Sequence, residues 1–325
     1  GSYLAFLVIF VIAKVGLGGS LIFYDSMLVD VTTDERMDEV SSHGYAWGYI
    51  GSCVPFIASL LLVLNAGSIG MTSGTATMIA FFINAVWWGA VTLPLLKNYE
   101  QKFYVESKKG TIKSAFERLS GIWNEMKQNK KVFLFLLSFF FYIDGVYTII
   151  EMATSYGKDV GISDTNLLLA LLFTQFVAFP CSILFGKLTR RFETKNLILV
   201  CIAAYFGVAV YAIWLDTAWK FWLMATIVSV FQGAIQALSR SHFAKIIPKE
   251  KSSEYFGVYD IFGKGASFMG TMLMGVTTQV FHTSKAGVAV IALMIVIGFV
   301  LFAAHGMPEV QTQAKGVKIA QKGIE

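Results

Sequence analysis

Charge is scarce in this sequence: Asp, Glu, Lys and Arg make up 14% of its 325 residues. A soluble domain carries about 25%, so an ordinary water-facing surface is excluded. Cysteine is also scarce. Cys53, Cys181 and Cys201 fall in three different apolar runs with no CxxC spacing, which excludes a disulfide framework and a thiolate metal centre. The four histidines form no HExxH pair, and neither a Walker motif nor a GxSxG motif occurs. ATP drive by this chain and the common hydrolase chemistries lose their support, and no cofactor or metal is expected.

What is abundant is apolar sequence: 56% of residues are hydrophobic and 15% aromatic. A membrane-crossing helix needs about 20 mostly apolar residues. Nine such runs are expected, at Tyr3–Leu28, Tyr45–Leu64, Thr75–Leu96, Val132–Ile150, Asn166–Phe185, Leu197–Leu215, Phe221–Phe243, Phe256–Phe281 and Ala286–Ala304. The first is too long for a signal-peptide core and lacks a cleavage-site flank. The chain opens Gly-Ser rather than Met, so the start of the natural protein is expected to lie upstream.

The net charge of +5 does not point to nucleic acid, because the basic residues sit in alternate short loops. The segment 97–131 holds nine of them, and 187–195 holds Lys187, Arg190, Arg191 and Lys195. Lys245, Lys249 and Lys251 follow the seventh run, and Lys315, Lys318 and Lys322 lie in the tail. The intervening loops carry one positive charge or none. Basic loops stay in the cytoplasm, which puts the C-terminus there. Within the long basic segment Ile112, Phe116, Leu119, Trp123 and Met126 recur at helical spacing. That is an amphipathic helix, lying either on the membrane surface or against the ends of the bundle.

A shift of 215 residues aligns two loops. Ser26–Gly48 reads SMLVDVTTDERMDEVSSHGYAWG, and Ser241–Gly263 reads SHFAKIIPKEKSSEYFGVYDIFG. Each leaves one long apolar run and enters another, so runs one and two correspond to seven and eight. A six-helix repeat follows, as in transporters built from two parallel halves. Residues 1–96 then close the first half, 97–131 link the halves, 132–305 form the second half and 306–325 are the tail. Three helices that should open the first half are not in this sequence.

FYDSMLVDVTTDERMDEVSS, FFFYIDGVYTIIEMATSYG, QFVAFPCSILFGKLTRRF and QGAIQALSRSHFAKIIPKEKSSEYFGVYDIFGK together resemble the vacuole-effluxer branch of the major facilitator superfamily. The resemblance implies an all-α polytopic membrane fold, with nine of an expected twelve spanning helices. It implies secondary active transport of small solutes, amino-acid efflux foremost and H⁺-coupled, in a bacterial inner membrane or a vacuolar one. Another small organic solute, or a non-transporting assembly role, is the alternative. The superfamily's loop motif departs from pattern at Gly186–Lys195, GKLTRRFETK, where Arg190 stands at the usual Asp position. A latch of the usual form is in doubt there.

Charged groups inside apolar helices usually face a partner or a wet cavity. Asp144 is the expected proton site, because it can titrate once desolvated, and Tyr142 is near it. Glu151, on the same face, reads as an outer-boundary residue. Gln232 and Gln236 are expected to see substrate, opposite Asp144, with Lys14 and Gln175 as further pathway candidates. Asp25, Arg240, Asp260, Lys264, Arg190 and Arg191 are expected to form a gate. Asp260 and Lys264 either pair with each other at i,i+4 or reach Arg240 and Asp25. Membrane lipid, a small solute and H⁺ are the expected partners.

Overall fold

The structure is a computed structural model and describes residues 3–104, 112–159 and 161–304. The long helices are α1 (Tyr3–Ser26), α3 (Met37–Leu64), α4 (Ser73–Asn98), α6 (Lys130–Asp159), α7 (Asp164–Leu188), α8 (Thr194–Ala212), α9 (Ala218–Ile246), α10 (Ser252–Phe281) and α11 (Ser284–Ala304). A single turn, α2 (Leu28–Val31), follows α1, and α5 (Ile112–Gln128) lies between α4 and α6. With no water to satisfy stray backbone groups, helices are the economical way for such apolar runs to cross a bilayer. Among the described residues eight are long and apolar enough to do so. The expected ninth, α10, is 30 residues long but more polar, because Asp260, Lys264 and several Gly, Ser and Thr interrupt its apolar residues. It packs along α1, α6 and α11.

The packed core belongs mainly to α6–α11. Phe135, Phe139, Tyr142 and Ile143 of α6 meet Ile295 and Phe302 of α11 and Phe243 of α9 in one buried cluster. α3 lies across α7 and α9, α4 touches the rest through α3, and α1 runs beside α10. α1 and α4 leave most of their apolar faces exposed, as Phe6, Ile9, Ile12, Phe81 and Phe82 illustrate. Gly70 closes the α3–α4 turn in the left-handed region, at φ 71°, where a side chain would be strained. Thr72 then caps α4, its Oγ1 accepting from the Thr75 amide at 3.2 Å.

Small residues set how closely helices approach in a membrane. A Cβ at Gly298 would lie 2.5 Å from the Tyr142 backbone nitrogen and 2.9 Å from its Cα. Backbone cannot move aside as a side-chain tip does, so Gly298→Val should force α11 off α6. Overpacking typically costs about 1–3 kcal/mol, and here the upper end applies. Thermal unfolding of the purified protein should show a clear loss of Tm. An unchanged Tm would mean that the two helices are not packed this closely.

The amphipathic α5 divides along its length. Ile122 and Met126 are buried, and Trp123 sits against Phe133 and Phe262. Phe116 is 69% exposed and Leu119 36%. The C-terminal turns of the helix therefore dock on the bundle, and the preceding turns present an apolar face outwards. A Lys251–Glu125 ion pair at 2.7 Å fixes the docked part. That hydrogen bond holds the half-buried Glu125 carboxyl below its ordinary range. Lys108, Lys109 and the tail beyond residue 304 lie outside the described residues.

Candidate functional site

The 215-residue repeat reappears in the backbone. A one-turn 3₁₀ segment spans Asp34–Arg36 and another Lys249–Lys251, and α3 and α10 begin at the next residue of each. The two connections meet at one end of the bundle, where they pair almost reciprocally. Ser26 receives the Ser253 hydroxyl at 3.2 Å, and Asp38 receives the Ser241 hydroxyl at 2.6 Å. Ser26 is the equivalent of Ser241, and Asp38 of Ser253. Two further pairs join a residue to its own equivalent: Arg240 to Asp25 at 2.9 Å and Lys249 to Asp34 at 2.8 Å. In a true twofold dimer these positions would face identical residues. Here one copy became acidic and the other basic, so the axis carries attraction instead of repulsion.

The end holds more ion pairs than these. Asp38 is 5% exposed and also accepts from Lys245 Nζ and Thr194 Oγ1, each at 2.6 Å. Arg190 reaches both carboxylate oxygens of Glu39 at 2.8 Å. The acid missing from the 186–195 loop is thus supplied from the start of α3. Arg191 is exposed and has no ion pair among the described residues. Asp30 holds the start of the linker, accepting from Tyr99 Oη at 2.5 Å and from the Lys102 and Phe103 amides at 3.0 and 2.9 Å. Burial, and then that bond to a carboxylate, push the Tyr99 hydroxyl well above its ordinary range.

Arg240 is the floor above this end. It is 3% exposed. Besides Asp25, it donates from Nε to Ser41 Oγ and from Nη2 to the Ser41 carbonyl, both at 3.0 Å. The Tyr45 and Tyr24 rings flank it at 4.7 and 5.5 Å. Above it opens a cavity of about 730 Å³ between α1 and α3 on one side and α6, α7, α9 and α10 on the other. Asp25, Gln175, Gln232, Gln236, Arg240, Asp260 and Lys264 all line it. Lys264 binds Asp260 at 2.6 Å and reaches over Gly18 of α1. Of the two pairings open to these residues, the i,i+4 bridge is the one made. Gln236 donates to Tyr49 Oη at 3.2 Å and Gln175 to Ser52 Oγ at 3.4 Å.

Three expected residues lie elsewhere. Tyr142 is fully buried against Ser239, oxygen to oxygen at 2.8 Å. Lys14 is exposed on α1, with its ammonium 5.7 Å from the Phe10 ring. Asp144 is 0% exposed and lies against Gly270 and Thr148 between α6 and α10. Neither its oxygens nor the Thr148 hydroxyl has a hydrogen-bond partner among the described residues. It is therefore not opposite Gln232 in the cavity wall.

The cavity also contains residues not singled out as sites. Glu151 lines it because α6 continues to Asp159 instead of ending near Ile150. Tyr24, Tyr45, Tyr49, Tyr147 and Tyr259 line it too. The repeat held the signal for two of these. Tyr45, Gly48, Tyr49 and Ser52 are the equivalents of Asp260, Gly263, Lys264 and Ser267, and all eight face the cavity.

Comparison with known proteins agrees with this architecture. The family profile described as "Vacuole effluxer Atg22 like" matches residues 29–315. The "Uncharacterized MFS-type transporter YxiO" of Bacillus subtilis (strain 168) is 44% identical over 303 residues, covering 93% of this chain and 71% of that protein. Autophagy-related protein 22-2 of Penicillium rubens is 24% identical over 80% of this chain, and autophagy-related protein 22 of Kluyveromyces lactis is 22% identical over 87%. The chain spans 48% and 60% of those two proteins' lengths. Among solved structures, that of the major facilitator transporter FucP in the outward conformation superposes with a TM-score of 0.60 at 11% identity. It covers 86% of this chain and 71% of that one. The chain belongs to the Atg22-like vacuole effluxer family, and it is a multi-pass membrane transporter of the major facilitator type rather than an enzyme.

Proposed function

We propose that the protein moves small zwitterionic solutes, amino acids foremost, by alternating access coupled to H⁺. The observation that carries this is the cavity. Its volume is in the range of small-ligand sites, roughly 300–1,000 Å³. Its wall combines carboxylates, cations, amides and tyrosine hydroxyls, the groups that recognise ammonium and carboxylate together. It lies between the two copies of the repeat and is shut at the ion-paired end, as rocking of two halves around a central site requires. With the basic loops in the cytoplasm, this is the outward-facing state of an inner-membrane protein with a cytoplasmic C-terminus. Asp144 is the proton carrier in this reading. A buried carboxylate without a hydrogen-bond partner is costly when ionised, and protonation removes that cost.

The test is uptake into vesicles of the full-length protein, with labelled amino acids and an imposed pH gradient. Accumulation of at least one amino acid, dependent on the gradient and lost in Asp144→Asn, is expected. Uptake unaffected by the gradient and by Asp144→Asn would remove the proton. Failure of every amino acid, with uptake of another small solute, would remove the substrate class.

A further inference from the structure

We propose that Glu151 receives the positively charged group of the solute, so that the cavity accepts ammonium-bearing solutes and turns away anions. This rests on the transport reading above and names the chemistry of its site.

The argument is a count of charges and of what each already holds. The cavity wall has three carboxylates, Asp25, Asp260 and Glu151, against two cations, Arg240 and Lys264. Asp25 is taken by Arg240, and Asp260 by Lys264. Glu151 has no cation within ion-pair distance among the described residues. Among the described residues its carboxylate accepts one hydrogen bond, from the Ser267 hydroxyl at 2.8 Å. Its side chain is exposed to the cavity, so its remaining acceptor positions are open to solvent or solute.

The cations are not free in the same way. Arg240 spends its fork on Asp25 and on both oxygens of Ser41. The Lys264 ammonium is tied to Asp260 and pressed over α1 at Gly18. A solute carboxylate approaching either cation meets the carboxylate already paired with it, Asp25 at Arg240 and Asp260 at Lys264. A solute ammonium needs only to displace water from Glu151. A wall with one excess negative charge, between low-dielectric helices, concentrates cations further. Tyr147 lies one helical turn from Glu151 on the same wall, and aromatic faces add attraction for ammonium groups. A zwitterion's carboxylate is left to the neutral donors, the amides of Gln175 and Gln232 and the tyrosine hydroxyls. A solute that is only an anion finds each cation already neutralised by its own carboxylate and is repelled by Glu151.

The experiment uses the purified full-length protein and three probes. L-lysine and L-leucine carry an ammonium, and N-acetyl-L-leucine lacks one. Binding is read by thermal shift and by titration, on the wild type, Glu151→Gln and Glu151→Asp. Both ammonium probes should raise Tm, and N-acetyl-L-leucine should not. Glu151→Gln should weaken the ammonium probes about ten- to a hundredfold, the loss of one charge-assisted hydrogen bond, while Glu151→Asp retains most of the affinity. Equal stabilisation of the wild type by N-acetyl-L-leucine and L-leucine would overturn the proposal without recourse to any variant. So would unchanged affinity in a folded Glu151→Gln protein, or no response of the wild type to either ammonium probe. Uptake of an anionic solute in vesicles would end the cation assignment while the transporter stands. Glu151-dependent binding of L-lysine without uptake of any amino acid would do the reverse.

Discussion

Arg240→Asp should destabilise the protein severely, Asp25→Arg should do so comparably, and the two together should recover part of the loss. Arg240 is 3% exposed and its ion pair with Asp25 is 2.9 Å long. Removing one partner of a buried pair typically costs about 3–5 kcal/mol, because the remaining charge is stranded in a low-dielectric site. Reversing it adds repulsion: Arg240→Asp would face Asp25 directly, with Asp260 close by in the same cavity. The exchange returns opposite charges to the same axis. Recovery should be incomplete for a specific reason. Arg240 also donates to Ser41 Oγ and to the Ser41 carbonyl, and the equivalent of Ser41 across the repeat is Phe256. An arginine at 25 has no hydroxyl there to bond. Thermal unfolding of the four proteins closes a double-mutant cycle. A double variant no more stable than the sum of its parts would show that the pair does not hold this end together.

How much of this was readable beforehand depended on the kind of signal. Long apolar runs and alternate basic loops define helices almost without tertiary information, because a bilayer punishes every other backbone choice. The repeat was readable because 34–36 and 249–251 are both turns forced by the same exit and entry of two helices. The charged residues Asp25, Arg240, Asp260 and Lys264 were readable as paired groups because charges inside apolar helices are rare. Position within the wall was not. Asp144 and Tyr147 are three residues apart on α6, yet Tyr147 faces the cavity while Asp144 meets Gly270 of α10. That division is set by where α10 crosses, and α10 can come so close only because Gly270 has no side chain. The cavity tyrosines carry no comparable signal: an aromatic residue in a membrane helix has several uses, and only the fold chooses among them. Glu151 shows the length problem. It directly follows Ile149 and Ile150, and the apolar run ends there although the helix continues to Asp159.

Asp38→Asn should open the ion-paired end. Asp38 is a nearly isosteric test position, because an amide keeps the shape and removes only charge and half the acceptors. Its carboxylate receives Ser241 on one oxygen, and Thr194 and Lys245 on the other, all at 2.6 Å. Three donors from α8 and α9 thus converge on one residue of α3. An asparagine must turn an NH₂ towards some of these donors, whichever way it sits, and Lys245 loses its counter-charge. Breaking a pair this buried costs about 3 kcal/mol or more, and the loss falls on the closed state alone if the pair is absent from the open one. A difference of that size changes a two-state ratio by roughly a hundredfold, enough to make a minor open state a major one. Spin labels at Arg36 and Phe192, both exposed beside this junction, would read the separation. The wild type should give one short distance, and Asp38→Asn a second, longer one. Glu39→Gln should give a smaller change in the same direction, because its partner Arg190 is 68% exposed and exposed pairs contribute about 0–1 kcal/mol. The ordering discriminates. If the Arg190–Glu39 bridge were the latch, Glu39→Gln would open the end and Asp38→Asn would not. If both distributions stay at the wild-type distance, helix packing of α3 on α7 and α9 holds the end shut and the charges only decorate it.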